Sequence, residues 1–226
     1  NMEMAKCLID EAHRAGADIA KFQFFDISEY FGPEFEWYEE CMKARIDYDK
    51  AEMLRDHCNK VGIEFMSSVF NLQGVEWAKK LGMNRYKIAS RCIGQQDLFD
   101  AVGETGKDMI VSLGMWKDAN PSAPLPTYIK SKGKVDFLYC VAKYPTLPED
   151  VDFDKIDFKN KYSGFSDHTI GMNAPLIAVA RGAKIIEKHF TLSKKMHGPD
   201  HQGSMEPNEL RQLVKSAREF EEFMSK

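Results

Sequence analysis

Two lysines stand where lysine is uncommon. In Ile19-Ala20-Lys21-Phe22-Gln23 a lysine and a glutamine share one face of an extended run with apolar neighbours, and Tyr86-Lys87-Ile88-Ala89-Ser90 holds a second lysine inside a strand-like pattern. Lysine is almost never fully buried without a partner, so two of them aimed into one cavity would make a strong anion site. The alternative is that each lies on an outer face and carries its ammonium to water along its aliphatic stem. Ser67-Ser68, Ser90, Ser112 and Ser166 follow four different strand patterns. Hydroxyls and loop amides beside two lysines suit a phosphate.

A second signal is Gly164-Phe165-Ser166-Asp167-His168-Thr169, followed by Glu187-Lys188-His189-Phe190. Each histidine falls just past the end of a strand pattern, and the two strands are consecutive. Neighbouring strands lie about 4.8 Å apart, so His168 and His189 at matching depth would share one divalent metal. Two imidazoles leave positions open for water or substrate, as a catalytic metal requires. Asp167 or Glu187 would then orient an imidazole from behind. Spacing does not choose between this and a pair of hydrogen-bonded loop histidines. His13 and His57 fall in helical patterns and read as surface residues, and His197 and His201 belong to an exposed loop, Met196–Ser204.

The elements that must position these groups alternate strand and helix. Strands are expected at Asp18–Phe24, Ile63–Met66, Arg85–Ala89, Met109–Leu113, Val135–Cys140, Tyr162–Phe165 and Lys184–Lys188. Helices are expected at Met2–Ala15, Asp49–Val61, Gln73–Leu81, Gln96–Val102, Asn173–Arg181 and Pro207–Met224, with a poorer one at Ala123–Ser131 and irregular chain over Pro148–Phe158. Asp26–Arg45, with Phe31, Phe35, Trp37 and Tyr38, reads as a long loop of the kind that covers a ligand. Met2, Met4, Met53 and Met224 are expected to pack, and Cys140, ending a strand, to lie in the core. Alternation of this kind predicts an α/β fold with a parallel sheet. Seven strands behind an opening helix fit a (β/α)8 TIM barrel lacking its first strand. An open doubly wound sheet would normally show a Gly-rich nucleotide turn, and neither GxGxxG nor GxxxxGK[ST] occurs. Such barrels keep their chemistry at the C-terminal ends of the strands, where the lysines, serines and histidines fall.

Composition narrows the function classes. The 226 residues carry 31 Lys+Arg against 35 Asp+Glu, a net charge of −4, with 43% hydrophobic residues. That is a globular composition, expected as one domain over residues 1–226. Mild acidity argues against a nucleic-acid partner. No apolar run reaches the roughly 18 residues that span a bilayer, and no signal-peptide pattern is present, so no membrane role is expected. Cys7, Cys41, Cys58, Cys92 and Cys140 form an odd, scattered set, which suits reduced thiols in a cytoplasmic setting.

Seven ordered motifs then carry a resemblance. They are Ala17–Gln23 (ADIAKFQ), Gly62–Ser68 (GIEFMSS), Tyr86–Ser90 (YKIAS), Tyr144-Pro145-Thr146, Gly164–Gly171 (GFSDHTIG), Glu187–Leu192 (EKHFTL) and Gly198–Leu210 (GPDHQGSMEPNEL). The chain resembles the sialic acid synthases, meaning the N-acetylneuraminate synthases and their legionaminate and pseudaminate relatives, through nearly its whole length. The resemblance implies a TIM-barrel catalytic domain that condenses phosphoenolpyruvate with an N-acetylated amino sugar such as N-acetylmannosamine. It implies His168 and His189 as ligands of Mn²⁺ (or Mg²⁺ or Co²⁺), which polarises the sugar aldehyde. It implies Lys21, Lys87, Ser90 and Ser166 around phosphoenolpyruvate, with Ser68 where many members have threonine. Gln23, Tyr144 and Asp200 match residues lining the sugar side. Lys21, Lys87 and Asp200 are the expected catalytic residues, and a homodimer is the implied assembly.

Four departures bear on activity. Arg91 and Cys92 follow Ser90 where relatives have Gly and then an acid. Ala142 stands where Asn or Ser donates to the phosphate, a bond worth on the order of 1.5–3 kcal/mol in a charged site. The first strand with its acidic residue, and the antifreeze-like C-terminal domain, have no counterpart in these 226 residues. Two further readings therefore stand beside the synthase. One is a weakened barrel that binds an anion and a metal as a partner or sensor module. The other is an aldolase-type enzyme with a Schiff base on Lys21 or Lys87.

Overall fold

A computed structural model describes residues 1–224 of the chain. Its strands are β1 (Ile19–Phe24), β2 (Glu64–Val69), β3 (Arg85–Ile88), β4 (Asp108–Ser112), β5 (Val135–Cys140), β6 (Gly164–Asp167) and β7 (Ile185–Lys188). Its helices are α1 (Met2–Arg14), α2 (Tyr38–Ala44), α3 (Tyr48–Val61), α4 (Leu72–Lys80), α5 (Gln96–Glu104), α6 (Asn173–Ala180) and α7 (Pro207–Met224). Strands and long helices end within three residues of the limits read from the sequence.

All seven strands join one parallel sheet in chain order, β1 to β7. The sheet curls until Lys21 on β1 and Glu187 on β7 come within 3.6 Å. The expected barrel is therefore present as a curled seven-stranded sheet, with β1 and β7 as its edges. Between those edges, α1 and α7, runs a cleft of about 710 Å³. Strands buried on both faces read as near-continuous apolar runs, and the core follows from that: Ile88, Val111 and Leu138 are fully buried, with Phe165 beside them.

Local chemistry sets the ends of the elements. Asp47 caps α3 by accepting from the Lys50 amide at 3.0 Å, and Asn71 caps α4 through the Gly74 amide at 2.9 Å. Gly62 closes α3 at φ +87°, a conformation that favours glycine. Gly164 is required by proximity, since a Cβ there would meet the Ile185 carbonyl oxygen at 1.9 Å.

Several expectations need correction. Ala123–Ser131 forms no helix, because Pro124 and Pro126 remove amides and fix φ. Asp26–Arg45 is not one loop: it holds a 3-10 turn at Ile27–Glu29 and then α2. Met4, Met53 and Met224 do not pack; they are 39%, 45% and 53% exposed on α1, α3 and α7. His57 is half-buried, and its Nε2 bonds Asp10 at 2.7 Å, tying α3 to α1. His201 is also half-buried, with Nδ1 2.7 Å from the Thr191 hydroxyl.

Candidate active site

Strand register assembles the site. Gln23 pairs with Ser68, and Ser68 with Lys87, across β1, β2 and β3. Cys140 pairs with Ser166, and Ser166 with Glu187, across β5, β6 and β7. One step beyond the Asp167–Lys188 pair come His168 and His189, whose ring centroids lie 5.5 Å apart.

The two lysines meet inside the curl. Lys87 is 2% exposed; its ammonium donates to the Ser112 hydroxyl at 2.8 Å and to the Ile88 carbonyl at 3.0 Å. Half-buried Lys21 reaches the same place from the edge. Between them stands Glu187, 3.6 Å from each ammonium, accepting from the Ser166 hydroxyl at 2.7 Å. Burial alone would raise the Glu187 carboxyl, but Lys21, Lys87 and Ser166 pull it down to about 2. Burial pushes the Lys87 ammonium below its usual value, and Glu187 opposes that. Ser90 Oγ accepts from the Gly114 amide at 2.9 Å and lies 3.6 Å from Cys140 Sγ, while Ser68 is buried level with Lys87.

The histidines are held differently than expected. His168 Nδ1 bonds the Val141 carbonyl at 2.7 Å, and a carbonyl only accepts, so Nδ1 carries the proton and Nε2 keeps a lone pair. His189 Nδ1 lies 3.9 Å from the Asp200 carboxylate. Burial lowers both imidazoles, His189 to about 4 against the pull of Asp200. Neutral rings are the form that binds a metal. Neither acid assigned to orient them does so: Glu187 is bound to Ser166 and the lysines, while Asp167 pairs with buried Lys188 at 2.6 Å. Among the described residues no group of three His, Cys, Asp or Glu is placed to hold a metal. The donor set therefore fits an open two-imidazole site that substrate or water must complete.

Tyr144 is 62% exposed, with its ring 4.1 Å from that of His168 and 5.8 Å from that of His189. Tyr144, both histidines and Asp200 line an outer pocket of about 200 Å³. Gln23 is exposed at the β1 end and lines the inner cleft beside Lys21. The structure thus brings Lys21, Lys87, Ser90, Ser166, His168 and His189 to one end of the sheet, with Tyr144 and Asp200 above and Gln23 at the edge.

Cys140 is buried as expected, but its sulfur faces the site, 4.0 Å from His168 Nδ1, and is not merely core. Cys92 is fully buried. The Val141 carbonyl and the Asp167–Lys188 pair escaped the sequence; a backbone acceptor leaves no mark there.

No described helix is long and apolar enough to cross a membrane. The chain is 34% identical to an uncharacterized protein, MJ1065, of Methanocaldococcus jannaschii, over 99% of this chain and 68% of that one. It is 32% identical to the N,N'-diacetyllegionaminic acid synthase of Legionella pneumophila, over 98% of this chain and 68% of the relative. Among solved structures, the N-acetylneuraminic acid (sialic acid) synthetase of Leptospira borgpetersenii superposes with a TM-score of 0.88 at 30% identity, covering 100% of this chain and 80% of that one. With the NeuB family model matching residues 8–226, and with the lysine and histidine pairs at one end of the sheet, the chain belongs to the NeuB family of sialic acid synthases.

Proposed function

We infer that the protein condenses phosphoenolpyruvate with an N-acetylated amino-sugar aldehyde, giving a nonulosonic acid and inorganic phosphate. The observation that carries this reading is buried Lys87 and half-buried Lys21 standing beside two neutral imidazoles. C3 of the enolpyruvate forms a bond to the aldehyde carbon, water adds at C2, and phosphate leaves with its bridging oxygen by C–O cleavage. Lys21 and Lys87 hold the substrate's negative charge, with the hydroxyls of Ser68, Ser90 and Ser166 as hydrogen-bonding partners. Glu187 balances the lysines until the anion arrives. His168 and His189 would hold Mn²⁺ (or Mg²⁺ or Co²⁺), which when bound polarises the aldehyde oxygen. Gln23, Tyr144 and Asp200 orient the acceptor, Asp200 accepting from its hydroxyls. Lys87 donates to two acceptors, which suits charge recognition better than Schiff-base chemistry. The reading carries with it a cytoplasmic homodimer; all five cysteines are free thiols.

The test follows phosphate release by the full-length protein from phosphoenolpyruvate and Mn²⁺, with and without a panel of N-acetylated amino sugars. Sugar-dependent release supports the synthase, and release independent of sugar contradicts it. Buried Cys92 favours one second reading, a barrel that binds ligand without turnover. Calorimetric binding of phosphoenolpyruvate with no release under any sugar would establish that reading instead.

A further inference from the structure

The Asp167–Lys188 ion pair takes no part in the chemistry above, yet its two side chains are 0% and 4% exposed. Successive strand residues face opposite sides of a sheet. Ser166 and Glu187 pair across β6 and β7 and meet the lysines of the anion site, so Asp167 and Lys188, the next register pair, point the other way. His168 and His189 follow them directly, with ring centroids 5.5 Å apart.

The contacts of the pair close a ring around the chain that carries the histidines. Asp167 accepts from the Thr169 amide at 2.8 Å and from the Thr169 hydroxyl at 3.1 Å, so its carboxylate clasps the residue on the far side of His168. The Lys188 ammonium donates to that carboxylate at 2.6 Å and also to the Thr169 carbonyl. The residue before His189 is thus bound to both residues that flank His168. On the outside, the Thr146 amide donates to the His168 carbonyl at 3.0 Å and the Met205 amide to the His189 carbonyl at 2.8 Å. These contacts fix backbone and touch neither imidazole; the tilt of the His168 ring is set separately by the Val141 carbonyl.

A buried ion pair is a weak source of stability, because apolar side chains of like volume hold two strands together as well or better. What it supplies is a single arrangement. A slip of β7 against β6 would leave both charges buried and unpaired. Among the described residues no third ligand stands ready to correct a misplaced imidazole.

We propose that Asp167 and Lys188 are a positioning pair that fixes the separation of His168 and His189, and with it the affinity of the two-imidazole site for a divalent cation. The inference rests on the metal assigned under the proposed function and adds what holds its ligands at one spacing.

Mn²⁺ is titrated calorimetrically into the full-length protein, into Asp167→Asn, into Lys188→Met and into the variant carrying both changes. Tm and phosphoenolpyruvate affinity without metal are measured on each. Either single change leaves one buried group without its partner, and both Tm and Mn²⁺ affinity should fall. The double variant leaves no charge behind, so its Tm should return most of the way to wild type. Its Mn²⁺ affinity should stay about ten- to hundredfold weaker, the loss typical when groups behind metal-bound histidines are changed. Phosphoenolpyruvate, held by Lys21 and Lys87, should bind it as it binds wild type. Recovery of Mn²⁺ affinity together with Tm assigns the pair to packing alone, which overturns the inference and leaves the condensation standing. A parallel loss of phosphoenolpyruvate affinity also overturns it. Thr169→Val covers a double variant that does not fold: loss of one hydroxyl from the ring should weaken Mn²⁺ about threefold, and unchanged affinity there overturns the positioning role. A wild type that takes up no Mn²⁺ defeats the metal reading itself, and this inference with it.

Discussion

Oε1 of Glu187 lies 3.6 Å from the ammonium of Lys87, a side chain only 2% exposed. Lys21 shares the same carboxylate, so the floor of the site holds two positive charges against one negative. Glu187→Gln leaves the two ammoniums facing each other. We expect a loss of about 3 kcal/mol in stability, the low end for breaking a buried ion pair, because Lys21 is partly solvated. Inorganic phosphate should bind about tenfold more tightly at low ionic strength and restore much of the stability. Urea denaturation with and without phosphate measures both effects; unchanged or weaker phosphate binding would refute the charge balance.

Metal removal should separate activity from folding. His168 and His189 are half-buried at a sheet end, and the core beneath them is apolar. Chelation is expected to abolish phosphate release while moving Tm little. His168→Ala and His189→Ala should each lower turnover by about a hundredfold or more. A large fall in Tm with chelator would make the pair a structural site.

Asp47 supplies a pH-dependent cap. Its carboxyl is held below its ordinary value of 3.8, first by the Lys50 amide hydrogen bond. A carboxylate lowered in the folded state stabilises fully above its unfolded value, and that stability fades as pH falls through the folded value. Asp47→Ala should therefore cost about 1 kcal/mol at neutral pH. The gap from wild type should narrow below pH 3.8. Chemical denaturation at neutral and acid pH checks it, and Asp47→Asn should keep most of the cap at both.

Phe165 packs against Phe153 at 5.8 Å, Tyr139 at 6.1 Å and Phe158 at 6.5 Å. Phe165→Ala should cost about 3–5 kcal/mol by leaving a cavity that its aromatic neighbours cannot fill. Thermal or urea unfolding reads this directly, and a loss under about 1 kcal/mol would show that the site collapses freely.

Much of this was legible in residue order. Apolar β-branched strands such as Met109–Leu113 announce a sheet buried on both faces, and strands separated by helices announce parallel order. Lys21, Lys87, His168 and His189 were legible because polar residues at apolar strand ends have few structural uses. Helix α2 was not: it buries none of its residues, so it shows no apolar stripe to read. Pro148–Phe158 was rightly read as irregular, yet its two 3-10 turns deliver Val151, Ile156 and Phe158 to the core, which periodicity cannot reveal. The neighbours that the two histidines meet were hidden for another reason. Val141 acts through its backbone, and Asp200 arrives from a loop eleven residues past His189.

Within the sheet, β3 and β4 are paired on both sides. Peptide amides in the middle of a ladder open to solvent only at a cost near that of global unfolding. Deuterium should therefore enter the loops that flank the strands first and β4 last. Lys87 on β3 then stands on one of the most slowly exchanging parts of the sheet, so an anion bound to it meets a floor already rigid before it arrives.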